Sequence, residues 1–193
     1  MPKSHWYSWT FDAVKFDYNV GQDDEAIYVS RVWGVEDVDR SGNNRWKSED
    51  IGKIVYDDEF NMALPANQQW LKDICQELWD SELVQDQTVT CWIDDFETYI
   101  TGVGGTFPTT EADFITAVQS FVANDDKGEE YLDDNFIGAV NGEFKFTVID
   151  ATSIGIPHKP YKIMNPLYEW WEEFKDNLNA NSGTGLNKAF QTA

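Results

Sequence analysis

The segment Asp37-Val-Asp39-Arg-Ser41-Gly42 sets side-chain oxygens at alternate positions and follows them with a glycine. That is the opening half of a calcium loop, where the first, third and fifth positions face the ion and the sixth lets the chain turn. The second half departs from the pattern: the eighth position is Asn44 rather than an apolar residue, and the twelfth is Ser48 rather than a bidentate Glu. A strand rather than a helix is predicted ahead of it. An Asx-rich turn accounts for the segment better, with Asp37, Asp39 and Ser41 kept as the candidates for calcium. Elsewhere, Asp94, Asp95 and Glu97 fall together in a predicted helix, and Asp133 and Asp134 precede a predicted hairpin. Paired carboxylates serve hydrolysis only at defined separations. Among 35 acidic residues such neighbours arise from composition alone, so a solvated face is the reading.

His5 and His158 each stand alone, and no Ser-His-Asp, Cys-His or metal-ligand spacing emerges. No glycine-rich phosphate loop follows a strand; Gly102, Gly104 and Gly105 follow a helix and end it. The residues therefore point to binding or scaffolding rather than to an enzyme, and imply no cofactor. Trp170 and Trp171 are adjacent and cannot both face one core. Trp171 fits a buried stripe, which leaves Trp170 as the candidate exposed aromatic of a binding surface.

Charge narrows the partners. Lys and Arg total 14 against 35 Asp and Glu, a formal charge of −21. A phosphate backbone needs a basic footprint that is missing, so nucleic acid is excluded, and an anionic membrane would repel the chain. Cations or a protein with a basic face fit better. With 41% hydrophobic residues and nine Trp in 193 residues, one well-buried core is expected. No apolar run approaches the roughly 18 residues that cross a bilayer, and Met1 to Trp9 lack the blocks of a signal peptide. The chain is expected to be cytosolic or a piece of something larger. Cys75 and Cys91 can form one disulfide, but spacing alone leaves their pairing open.

The elements that would position these residues follow from periodicity. Alternating aromatics over 6–18 predict a strand or extended arm within 1–25. A first strand begins near Ile27, with Ile27, Val29, Trp33 and Val35 on one face and Tyr28, Ser30 and Val32 on the other. A polar loop spans 37–53, then Ile54 to Tyr56 are apolar. Pro65 opens a helix with the stripe Trp70, Leu71, Ile74, Cys75, Leu78 and Trp79. A second helix covers 91–101, and a third starts at Thr109 or Thr110 with Asp113 in its first turn. Asn141-Gly142 joins two β-prone runs, 136–140 and 143–149, as a type I′ hairpin. Asn165 is expected to cap, and Pro166 to begin, a last helix carrying Leu167, Trp171, Phe174 and Leu178. Asn179 to Gly185 reads as a flexible exit, and Lys188 to Thr192 as a final short strand. Removing 85–133 leaves strand, helix, two-stranded hairpin, helix, strand. That order predicts an α+β, ferredoxin-like split βαβ domain over 26–193, with a helical insertion after its first helix.

Several stretches resemble one family in series. Val32-Trp-Gly-Val35, Asp50-Ile-Gly-Lys-Ile-Val-Tyr-Asp57-Asp-Glu-Phe60, Pro65-Ala-Asn-Gln-Gln-Trp70-Leu with Ile74-Cys75, and Thr90-Cys91-Trp-Ile-Asp-Asp-Phe96 resemble a Dispatched-type ectodomain. Lys188-Ala-Phe-Gln-Thr192 is similar to the strand that leads back toward the membrane in the Dispatched and Patched branch of the resistance–nodulation–division (RND) transporter superfamily. The resemblance spans about 26–193. It implies a ferredoxin-like porter subdomain on the extracellular or lumenal side, most simply of the plasma membrane, as a fragment of a multi-pass protein. It also implies an oxidised Cys75–Cys91 pair tying the first helix to the insertion, and a hydrophobic, lipid or lipid-modified cargo moved by the intact protein. Two cysteines, no Asn-X-Ser/Thr acceptor and high acidity are departures from the family. A free-standing acidic module that binds calcium or a basic protein is the rival expectation.

Overall fold

A computed structural model describes residues 27–39, 53–86, 88–154 and 161–192. The 1–25 arm, Ser41, His5 and His158 lie outside those residues. The described elements run β1 (Ile27–Trp33), β2 (Val35–Asp39), β3 (Lys53–Tyr56), α1 (Pro65–Trp79), α2 (Trp92–Gly102), α3 (Phe114–Asn124), α4 (Asp126–Asp133), β4 (Ile137–Val140), β5 (Glu143–Ser153), α5 (Tyr161–Asn181) and β6 (Phe190–Thr192). The fold is α+β. Four strands form one sheet in the order β4-β5-β1-β6, and β2 and β3 form a separate ribbon. Every pairing in both is antiparallel.

Register explains which sheet face is covered. Val29 pairs with Ala151, Arg31 with Ile149 and Trp33 with Thr147, and all six are buried. Side chains alternate across a strand, so these six share one face. Both long helices meet it: Trp33 packs edge-on against Trp70 of α1 at 6.0 Å, and Arg31 lies over Trp171 of α5. The opposite face carries Ser30, Val32, Val148 and Asp150, which stay half-buried.

Two backbone devices shape this sheet. The β4–β5 turn has Asn141 at φ 53° and Gly142 at φ 82°, the left-handed pair that a type I′ hairpin requires. Within β5 the pairing skips Lys145, because Gly138 faces Phe146 while Ala139 faces Phe144. This bulge turns Phe144 inward, where its ring meets Phe60, Trp92 and Phe114. Gly34 sits on the same bulge at φ +89°, and a Cβ there would stand 2.2 Å from the Lys145 carbonyl oxygen. The first strand therefore ends at Trp33, and Val35 starts a new one.

The unit formed by α2, α3 and α4 ends in Asp126–Asp133, a short α4 whose start is capped by the Asp125 carboxylate. Its core is aromatic, with Phe96 against Phe107, Phe114 and Phe121 at ring distances of 6.4, 6.1 and 5.7 Å.

Two sequence expectations are corrected at α5. The helix starts at Tyr161, and Pro166 sits inside it. Near a helix N-terminus, the N–H that proline lacks removes only a bond at the fraying end, and Asn165 Nδ2 bonds Glu169 Oε1 at 2.6 Å rather than capping. The exit is anchored as well. Asn179 lies within the helix, donating to the Ala189 carbonyl at 2.9 Å and accepting from the Ala189 N–H at 2.7 Å.

Candidate functional site

The acidic residues at the start of α2 are drawn into contacts between helices. Tyr131 of α4 donates its hydroxyl to Asp95 Oδ2 at 2.6 Å, and Lys72 of α1 pairs with Glu97. Burial raises the Asp94 carboxyl above its ordinary 3.8; Lys72 opposes the rise, and Glu97 and Asp95 add to it. Burial, with the hydrogen bond to Asp95, also raises the Tyr131 hydroxyl. Asp94 and Asp95 occupy the first turn, where the helix dipole favours negative charge. The group links α1, α2 and α4; Asp133 and Asp134 stand apart from it, exposed at the end of α4.

A second charged group forms around Lys188. Its Nζ lies 2.9 Å from Asp57 Oδ1, 3.3 Å from Glu59 Oε2 and 3.8 Å from Glu36 Oε1. The hydrogen bond to Asp57 is the main cause raising the Lys188 ammonium above its usual value. Asp57 is buried, so the bond ties the approach to β6 onto the chain just after β3.

Buried amides make the remaining long-range ties. Gln68 donates to the carbonyls of Ala63 and Thr109 at 2.9 and 3.1 Å, and its Oε1 accepts from the Thr109 N–H and hydroxyl at 2.9 and 3.1 Å. Asn67 donates to the carbonyls of Asn61 and Thr184. Sequence reasoning passed over both, although positions 67 and 68 lie on the apolar stripe of α1, at i, i+4 and i+3 from Leu71. Arg31 carried a similar signal, sharing its parity with Val29 and Trp33. Nothing local marked Lys188.

Cys75 of α1 and Cys91 just before α2 form a disulfide, with Cα atoms 6.2 Å apart. Between them, residues 84–85 and Thr90 lie beside β5 where β4 has ended: Gln85 N–H bonds the Thr152 carbonyl and Thr90 N–H the Asp150 carbonyl, each at 2.8 Å. The bridge thus fixes both ends of a segment that completes the sheet edge.

Asp37 and Asp39 lie in β2, opposite Val55 and Lys53. Among the described residues, no group of three His, Cys, Asp or Glu side chains is arranged to hold a metal ion. Trp170 is half-buried, stacked on Phe174 at 5.3 Å and edge-on to Trp171 at 4.8 Å. Apolar groups that reach solvent further include Ile54, 50% exposed, and Val55, 38% exposed, on the β2–β3 ribbon, and Trp79, 48% exposed, at the end of α1. Tyr56 of the ribbon stacks on Phe146 at 6.4 Å, holding the ribbon against β5.

No protein-family model matches the chain. Over 77 residues it is 32% identical to human protein dispatched homolog 1, which is 37% of this chain and 5% of that protein. Its fold is similar to the cryo-EM structure of the hedgehog release protein Disp from the water bear Hypsibius dujardini, with a TM-score of 0.54 and 20% identity. That match covers 95% of this chain and 21% of the water-bear chain, so the chain spans a small part of either relative. A segment of sequence and the fold of nearly the whole chain are thus each similar to a Dispatched protein.

Proposed function

We propose that this chain is an extracellular or lumenal porter subdomain of a multi-pass RND-type transporter, helping to form the passage or docking surface for a lipid or lipid-modified cargo. The observation that carries this reading is the fold similarity to a hedgehog release protein over 95% of the chain. The finer description, a ferredoxin-like split βαβ domain, is supported by the strand order β4-β5-β1-β6, with α1 following β1 and α5 joining β5 to β6. On this reading residues 1–25 are an arm ahead of a single 26–193 domain, and about 85–133 is its helical insertion. The Cys75–Cys91 bridge supports an oxidising compartment. No described helix is long and apolar enough to cross a membrane, so the spans would belong to other parts of the parent. Ile54 and Val55 are the apolar residues best placed to meet cargo or a neighbouring domain.

The test uses the parent protein in intact cells. A Val103→Cys substitution, at a site 65% exposed, is expected to react with a membrane-impermeant maleimide without permeabilisation. Replacing Ile54 and Val55 by Asp is expected to reduce release of a lipid-anchored reporter at unchanged surface abundance. Labelling only after permeabilisation sinks the location; unchanged release sinks the docking role.

A further inference from the structure

Arg31 stands in the middle of β1 with its side chain beneath α5, and only 1% of its surface is exposed. Its Cζ lies 4.8 Å from the Trp171 ring centroid and 5.7 Å from that of Phe174. Nη2 donates to the Trp171 backbone carbonyl at 3.2 Å. Nε and Nη1 are buried and have no hydrogen-bond partner among the described residues. The ring contacts, measured from Cζ, supply no hydrogen-bond acceptor to Nε or Nη1, whose N–H bonds lie in the guanidinium plane.

Nothing among the described residues neutralises this charge by direct pairing. Glu172 is the carboxylate that acts on it, from the next position along α5, but Glu172 Oε2 is held 2.8 Å from Lys175 Nζ. Burial lowers the Arg31 pKa to about 9, which still leaves the group cationic at neutral pH. Burying a cation with unmet donors is costly, and buried polar atoms in folded proteins almost always find an acceptor.

We propose that Arg31 holds a small monovalent anion, chloride being the simplest, against its in-plane N–H donors between β1 and α5. Burial of both nitrogens selects for size: a phosphate ester or a peptide carboxylate on another chain has no open approach.

The experiment follows thermal unfolding of the protein at constant ionic strength while chloride replaces methanesulfonate. Taking chloride to about ten times its Kd is expected to raise the wild-type midpoint by roughly 3–6 °C. The Arg31→Met variant, with an apolar side chain and no donors, is expected to show no chloride-specific shift. An equal shift in both proteins is a general salt effect and overturns the site. Should Arg31→Met fail to fold, the chlorine-35 NMR line width of the wild type decides. Excess broadening relieved by thiocyanate supports the site, and an unbroadened line overturns it.

Discussion

The layer formed by the sheet with α1 and α5, and the α2–α4 insertion, are both well packed but with different chemistry. The α2–α4 unit is filled by rings: Phe96, Phe114 and Phe121 are fully buried, and Phe96 meets each of the other two edge-on. The sheet layer buries Arg31, Asn67, Gln68, Thr147 and Ser153 and depends on hydrogen bonds between residues far apart in sequence. Apolar packing tolerates small shifts in direction, whereas a buried amide tolerates few, because a donor left without its acceptor forfeits the whole desolvation cost. The insertion should thus fail by losing volume and the sheet layer by losing geometry.

The largest expected effect comes from breaking the aromatic side. Phe96→Ala removes the ring shared by Trp92, Phe107, Phe114 and Phe121 and should cost about 3–5 kcal/mol. Calorimetry should find the midpoint lower by roughly 10 °C or more; a fall under about 3 °C would mean the cluster contributes little. Next come the cysteines, which join the two regions. Their loop spans a sequence separation of 16, so Cys75→Ala with Cys91→Ala should cost about 3 kcal/mol. Mass spectrometry of unreduced, alkylated protein should find no free thiol; two alkylated cysteines in folded protein would remove the bridge from the argument. On the polar side, Gln68→Leu keeps the volume but strips four hydrogen bonds from the Ala63 and Thr109 groups. A cost of about 2–3 kcal/mol is expected, with faster amide exchange at Thr109 as its signature. Unchanged exchange there would show that the amide tie is dispensable.

These two chemistries also explain what was legible in the sequence. The stripes of α1 and α2, and the Asn141-Gly142 turn, announce themselves locally because apolar periodicity and positive-φ preference are properties of neighbouring residues. The β2–β3 ribbon was harder, as its pairing depends on Gly34 and the Lys145 bulge meeting through space. α4 has a charged sequence, DKGEEYLD, whose buried members are Gly128 and Tyr131, too few to set a period. Of the acidic residues singled out beforehand, Asp95 and Glu97 proved to be links between helices, which depends on where Tyr131 and Lys72 fall. The Lys188–Asp57 bond spans 131 positions, and neither residue is distinguishable from the other charged residues by its sequence neighbours. Polar residues on an apolar stripe were the one readable sign of the long-range ties, at Asn67, Gln68 and Arg31.

The smallest effect tests the charged border between the regions. Burial is the main cause holding the Asp94 carboxyl above its ordinary 3.8, so folding favours its protonated form. The stability this group contributes is therefore present below the unfolded pKa and is lost as pH rises through the higher folded value. Asp94→Asn, uncharged throughout, should gain on the wild type as pH rises from 3 to 7. The gain should stay within about 0.5 kcal/mol, because the carboxylate is half-exposed and screened by solvent. Paired melts across that range check the sign. A variant that instead loses ground with rising pH would show that attraction to Lys72 and the α2 dipole outweighs burial at this site, making Asp94 a stabilising anion of the insertion rather than a strained one.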